Sequence, residues 1–157
     1  MHITIIYEDF ASGLRAKRFA DLLAERCGTP GASAIAMWRC ELLEITDVAA
    51  EAAGLAEAWD YLIVSLSANR TFSDAVREWI TSRLGGCADG GGVILLATAG
   101  MDQNRVAVSV RQGIKSICVE RGVPFFGYSF VPGLLTNAKG DVKPPDFANF
   151  TSAQNGA

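Results

Sequence analysis

Histidine occurs once in the 157 residues, at His2. That excludes a Ser-His-Asp or Cys-His relay at any other position and leaves a zinc site short of nitrogen donors, so we expect no metal. The four cysteines, Cys27, Cys40, Cys87 and Cys118, form no C-x-x-C pair and fall on separate predicted elements. They read as free buried thiols in a reducing cytoplasm rather than as metal ligands or disulfides. Basic residues are not in excess: the formal net charge is −3. Nucleic-acid binders carry a basic stripe and membrane-surface proteins a polybasic anchor, so neither partner is expected. Apolar runs are all well short of the roughly 20 residues that a spanning helix needs. Met1 leads straight into His2-Ile3-Thr4-Ile5-Ile6-Tyr7, a strand pattern with no charged leader, and we expect no secretory signal.

What the chain does have is apolar material, 50% of its residues, over a length that suits a single compact domain. The pattern alternates strand and helix. Strands are predicted at His2–Tyr7, about Ala34–Cys40, Tyr61–Leu66, Val93–Ala97 and Phe125–Phe130. Helices are predicted at about Ser12–Cys27, Thr46–Ala58, Ser73–Leu84 and Gln103–Arg121. The first helix should bury Ala16, Phe19, Ala20, Leu23 and Cys27. The third should bury Ala75, Val76, Trp79, Ile80 and Leu84, and the fourth Val106, Val110, Ile114, Ile117 and Cys118. Tyr61–Leu66 and Val93–Ala97 are continuous apolar runs, as expected of parallel strands covered on both faces. Right-handed crossovers then give a doubly wound α/β sheet, with Ile63, Val64, Leu95 and Leu96 fully buried. The domain is predicted over residues 1–131. Residues 132–157 carry three of the five prolines and read as an irregular tail whose end is disordered.

One stretch has more specific texture. An Asp precedes a hydrophobic strand in Ala58-Trp59-Asp60-Tyr61-Leu62-Ile63-Val64. A polar loop follows over Ser65 to Phe72, and then Ser73-Asp74-Ala75-Val76 opens an amphipathic helix. Together with Gly92 to Gly100, including its Thr98-Ala99-Gly100 turn, this resembles flavodoxins and the NADPH-dependent FMN reductases. The resemblance implies a three-layer, flavodoxin-like sandwich with a five-stranded parallel sheet of order 2-1-3-4-5. It places a ligand outside the carboxyl ends of the strands, at the switch point between strands one and three. Three loops would form the site: Glu8–Ala16, Ser67–Thr71 and Thr98–Gln103. The candidate ligand residues are Asp9, Ser12, Gly13, Arg15, Ser67, Asn69, Arg70, Thr71, Thr98, Gly100 and Asp102.

The loops themselves narrow the expectation. Such proteins cradle the FMN phosphate with hydroxyls and backbone amides at a helix N-terminus. Ser12, Gly13 and Arg15 could serve. Glu8 and Asp9, however, place negative charge beside a dianionic phosphate. Between Ser65 and Ser73 stands neither Tyr nor Trp to stack on a flavin ring; Phe72 is the loop's aromatic, and a packing contact of the third helix is its ordinary role. Glu8 and Asp9 at the end of strand one also resemble the magnesium-holding pair of response-regulator receiver domains, and Thr98 matches their hydroxyl. Ser65 and Ser67 stand where those domains have the phospho-accepting Asp, and Ser129 where they have Lys, so that chemistry is not expected. The alternative for Glu8 and Asp9 is a solvated turn, with Asp9 or Ser12 capping the first helix.

Arg15, Lys17, Arg70 and Arg105 gather positive charge near the three loops, which suits a small anionic ligand or ordinary surface charge. The run Gly85-Gly86-Cys87-Ala88-Asp89-Gly90-Gly91-Gly92 precedes strand four, at the opposite end from the site. It reads as a flexible connection in which Cys87 is the exposed thiol. The expectation is therefore a flavodoxin-fold small-molecule or anion-binding or regulatory module with no tightly bound cofactor. The alternative is an FMN-binding redox protein; if the chain is an enzyme, it is an FMN-dependent oxidoreductase. The resemblance also implies a fifth helix after strand five, which the sequence lacks. Val93, Leu95 and Phe125 or Phe126 should then be shielded by the tail, through Leu134, Leu135, Phe147 and Phe150, or by a second subunit, and we expect a homodimer in which the tail also takes part.

Overall fold

A computed structural model describes residues 1–27, 31–55, 58–67, 73–98 and 105–130, with the side chains of 98, 105–107, 129 and 130 outside that description. Five strands, β1 (His2–Tyr7), β2 (Ala34–Arg39), β3 (Trp59–Leu66), β4 (Cys87–Thr98) and β5 (Phe125–Phe130), alternate with four helices. These are α1 (Phe10–Arg26), α2 (Thr46–Leu55), α3 (Asp74–Arg83) and α4 (Arg105–Arg121). All four strand pairings are parallel. The sheet order is β2-β1-β3-β4-β5, the flavodoxin-like order in which the chain reverses direction across the sheet between β1 and β3.

The continuous apolar runs are explained by what lies on each face. Leu62, Val64 and Leu66 of β3 and Val93, Leu95 and Ala97 of β4 face one core. Leu43, Ala52, Val76, Trp79, Ile80, Val110, Ile114 and Cys118 fill that core from α2, α3, α4 and the single-turn helix Cys40–Glu44. Alternate residues, Tyr61, Ile63, Ile94 and Leu96 with Ile3 and Ile5 of β1, face the other core, where α1 contributes Ala16, Phe19, Ala20 and Leu23. Ile63, Val64, Leu95 and Leu96 are buried as expected. Among the described residues, no helix is long and apolar enough to cross a membrane.

Several expectations change. Ala75 is exposed because only Val76, Trp79 and Ile80 of α3 point to the sheet. Ile117 is only partly buried. Cys27, at the end of α1, is exposed, and Cys87 is half-buried, so the exposed thiol is not the one expected. Burial pushes the Cys87 and Cys118 thiols up to about 11, which favours the protonated form at neutral pH. The glycine run is not a flexible connection. From Cys87 onward it is already β4, displaced by an irregularity opposite Trp59–Tyr61. A Cβ on Gly91 would overlap the Asp60 carbonyl oxygen, and one on Gly92 would lie 2.8 Å from that of Pro124, so crowding by neighbouring backbones selects glycine here.

Of the residues expected on the face beside α1, Phe126 lies there and the others do not. Val93, Leu95 and Phe125 belong to the α3/α4 side. On the α1 side, β4 and β5 present Ile94, Leu96, Phe126 and Tyr128. The period-2 alternation of a strand makes a one-residue error in register a complete exchange of faces.

Candidate functional site

The crevice that this topology offers a ligand lies between the loops after β1 and β3. Its first wall is built by the start of α1. Asp9 takes extended backbone angles and caps the helix, its Oδ1 accepting the N–H of Ser12 at 2.8 Å. The Ser12 hydroxyl returns the bond, accepting the N–H groups of Asp9 at 2.9 Å and Glu8 at 3.2 Å and donating to the Asp9 carbonyl at 2.9 Å. A serine hydroxyl has one proton and two lone pairs. All are in use, and Ser12 is fully buried. The sequence signal is an Asp-x-x-Ser capping box read in reverse of the usual Ser-x-x-Glu.

The second wall is tied to the first. Glu8 is buried, 8% exposed, and its Oε2 accepts the backbone N–H of Ser67 at 2.7 Å. The half-buried Arg15 guanidinium donates through Nη2 to the Leu66 carbonyl at 2.9 Å. Two side chains from the β1–α1 corner thus hold both backbone groups where β3 ends. Burial lowers the Arg15 pKa from its usual value, partly offset by the charges of Asp9 and Glu8. Burial by itself would raise the Asp9 pKa. Hydrogen bonds from the Ser12 backbone and from the Ser67 and Ser12 side chains, with the Arg15 charge, outweigh it and leave Asp9 below the ordinary carboxylate value.

Each candidate residue now has a position. Asp9, Ser12, Gly13, Arg15 and Ser67 do come together. Gly13 is buried in α1, where a Cβ would lie 2.7 Å from Cδ2 of Tyr7. Its smallness makes room for the tyrosine ring, and its N–H is spent on the Asp9 carbonyl at 2.9 Å. Thr98 ends β4, paired to Phe130, with its side chain outside the described residues. Asn69, Arg70, Thr71, Gly100 and Asp102 also lie outside them. Lys17 is engaged on the surface with Asp21 at 2.5 Å, an ordinary i,i+4 pair.

Sequence reasoning missed the role of Glu8. A solvated turn was the alternative expected for it, but the crossover buries it and aims it at Ser67. It also missed Ser65, whose hydroxyl is fully buried and finds no hydrogen-bond partner among the described residues. A shallow apolar groove between α3 and α4, lined by Ile80, Val110, Gly113 and Ile114 with Arg77 at its edge, lies in the helix layer, away from this crevice.

Chemically, the crevice is lined by carboxylates whose own bonds consume the amides beside them. A phosphate placed there would stand beside the Glu8 and Asp9 carboxylates. Each unit of negative charge brought within about 4 Å of a carboxylate costs about 4 kcal/mol at a surface-like dielectric. Among the described residues, the backbone N–H groups of Ser12, Gly13 and Ser67 are already engaged. Among the described residues, no group of three or more His, Cys, Asp or Glu is placed to hold a metal ion.

No family model matches the chain, and no curated protein does. Among solved structures, the chain is similar to a flavodoxin from Streptococcus pneumoniae TIGR4, at 11% sequence identity and a TM-score of 0.44, over 99% of this chain and 94% of that one.

Proposed function

We propose that this chain is a flavodoxin-fold binding or regulatory module that does not hold flavin tightly. One observation carries the reading: at the crevice where the topology would seat an FMN phosphate, Asp9 and Glu8 already accept the N–H groups of Ser12 and Ser67. The chain's own carboxylates stand in for the anion. A ligand entering between β1 and β3 meets negative charge, which favours a neutral or cationic small molecule over an organic phosphate.

The test is spectroscopic and direct. Full-length protein purified without added cofactor should be colourless, and micromolar FMN should show no saturable quenching of its fluorescence. Changing Glu8→Gln together with Asp9→Asn should create measurable affinity for FMN or inorganic phosphate in calorimetry. Flavin present at near-stoichiometric level in the purified wild type would overturn the proposal. It would make the alternative, an FMN-binding redox protein, the primary reading, which rests at present on the β2-β1-β3-β4-β5 order.

A further inference from the structure

The sheet has two edges, and the chain treats them differently. The open side of an edge strand presents a row of backbone donors and acceptors, which proteins blunt with charge, proline, a bulge or a cover. At β5 a charge stands close by: the Arg111 guanidinium of α4 lies against Gly127, 2.9 Å from where a Cβ would be. β2 carries none of the first three devices. From Ala34 to Trp38 it has no charge and no proline, and its register with β1 runs without a shift from His2 and Ala34 to Tyr7 and Arg39. Among the described residues, β1 is the one strand paired with it. Ala34, Met37 and Arg39 are exposed. The Ala34 N–H donates to the Met1 carbonyl at 2.9 Å, so Ala34, Ala36 and Trp38 turn their backbone groups toward β1. Alternation turns those of Ile35, Met37 and Arg39 outward.

We propose that this edge pairs antiparallel with the same strand of a second copy of the chain, joining two sheets into one across a two-fold axis. The strand's own sequence argues for this occupant. A two-fold axis normal to the sheet keeps each side chain on its own face, so it must pass through a residue and not between two. Centred on Ala36, the pairing sets Ile35 opposite the partner's Met37, and these two exchange both of their outward backbone bonds. On that face two apolar side chains meet. On the other face Ala34 stands opposite the partner's Trp38, a small side chain against a large one, which is how packed layers interdigitate. Charge agrees with the same register. Arg39 falls at the end of the strand, already paired with Glu41 at 2.8 Å. In the dimer it lies about 20 Å from its own copy, beyond the reach of screened repulsion. Every apolar residue of the edge thus finds an apolar partner, and no like charges are opposed. Because the same patch serves both chains, the pairing closes on itself and leaves neither β2 open.

The test uses the full chain. In sedimentation velocity at micromolar concentration the wild type should run as a dimer. Met37→Lys puts a charge on the seam, and Met37→Pro removes an N–H that points away from β1. Each should weaken association by about tenfold or more while the far-ultraviolet dichroism stays that of the wild type. Ala36→Cys, made together with Cys27→Ser to remove the exposed thiol, gives a positive readout that needs no disruption. Residues facing each other in a non-hydrogen-bonded antiparallel pair have Cα atoms about 4.5 Å apart, within reach of a disulfide. Oxidised glutathione should therefore link two chains through position 36, seen as a dimer in denaturing gels and reversed by dithiothreitol. A chain that sediments as a monomer at every concentration overturns the proposal and leaves the edge to a strand from a different protein. A dimer that survives both Met37 substitutions, or that fails to link through position 36, overturns it as well and moves the interface elsewhere. None of these outcomes depends on what the β1–β3 crevice binds, so this inference and the proposed function stand or fall separately.

Discussion

The two ends of the β1–β3 pair use one chemical device in two settings. At the amino end, the Asp60 carboxylate accepts the backbone N–H of His2 at 2.7 Å, in an exposed position. At the carboxyl end, Glu8 accepts the N–H of Ser67 at the same distance, but with Glu8 buried and Arg15 bonded alongside to Leu66. Water competes freely for the first bond and hardly for the second. Removing a partner from the second strands groups that cannot be rehydrated, which is where the large costs of lost hydrogen bonds arise. The buried staple is also the one at the switch point. The same bond that closes the sheet's end is the one on which the proposed reading of the crevice rests.

The largest predicted effect is on that staple. Glu8→Ala should lower unfolding stability by about 2–3 kcal/mol in urea denaturation, since a charge-assisted bond is lost and its buried donors are left unmet. Glu8→Gln keeps an acceptor and should lose less. If Glu8→Ala costs no more than Asp60→Ala, the contrast between the two ends fails. Next comes Gly13→Ala, which forces a methyl group against the Tyr7 ring and should cost about 1–3 kcal/mol. Adding Tyr7→Leu should return part of that loss. A non-additive recovery in the double variant would show that glycine is there for packing and not for a ligand's approach.

Asp9 gives a smaller effect with a pH signature. Its folded pKa is depressed below the ordinary value of 3.8, so its charged form favours the native state. The stability it contributes is fully present above pH 4 and is lost as pH falls through the lower, folded value. Asp9→Asn keeps a good cap and should flatten the acid side of a stability profile measured from pH 7 to pH 3. Asp9→Ala should in addition cost about 1 kcal/mol at neutral pH. An unchanged acid limb in Asp9→Asn would mean that the carboxylate is not what holds the corner at low pH. The smallest effect is expected at the exposed end, where Asp60→Ala should change stability by about 0.5 kcal/mol or less.

Some of this corner was legible in advance. The separation of Asp9 from Ser12 by two residues marks a helix start, and strand and helix periods placed the described strands and α-helices to within a few residues, the start of β4 excepted. The larger departures came where one segment's conformation depends on another's backbone. β4 starts at Cys87, earlier than expected, because Gly91 and Gly92 are packed against Asp60 and Pro124 rather than left free. The single-turn helix Cys40–Glu44, which places Leu43 in the core, takes over where β2 was expected to reach Cys40. Cys27 and Ala75 were assigned to buried faces from spacing alone, but both are exposed at helix ends, Cys27 capping α1 and Ala75 in the first turn of α3.

Local periodicity, through the alternation of strand and helix and the two-sided apolarity of β3 and β4, was enough to determine the doubly wound class. A period is a property of neighbours in the chain, and it survives without knowledge of anything distant. Which apolar residues share a face with α1, and what Glu8 does, were decided only by tertiary structure. The first depends on strand register, where a shift of one residue exchanges the two faces. The second depends on a contact across 59 positions of sequence, Glu8 to Ser67, made possible because the crossover from β1 brings the start of α1 against the end of β3.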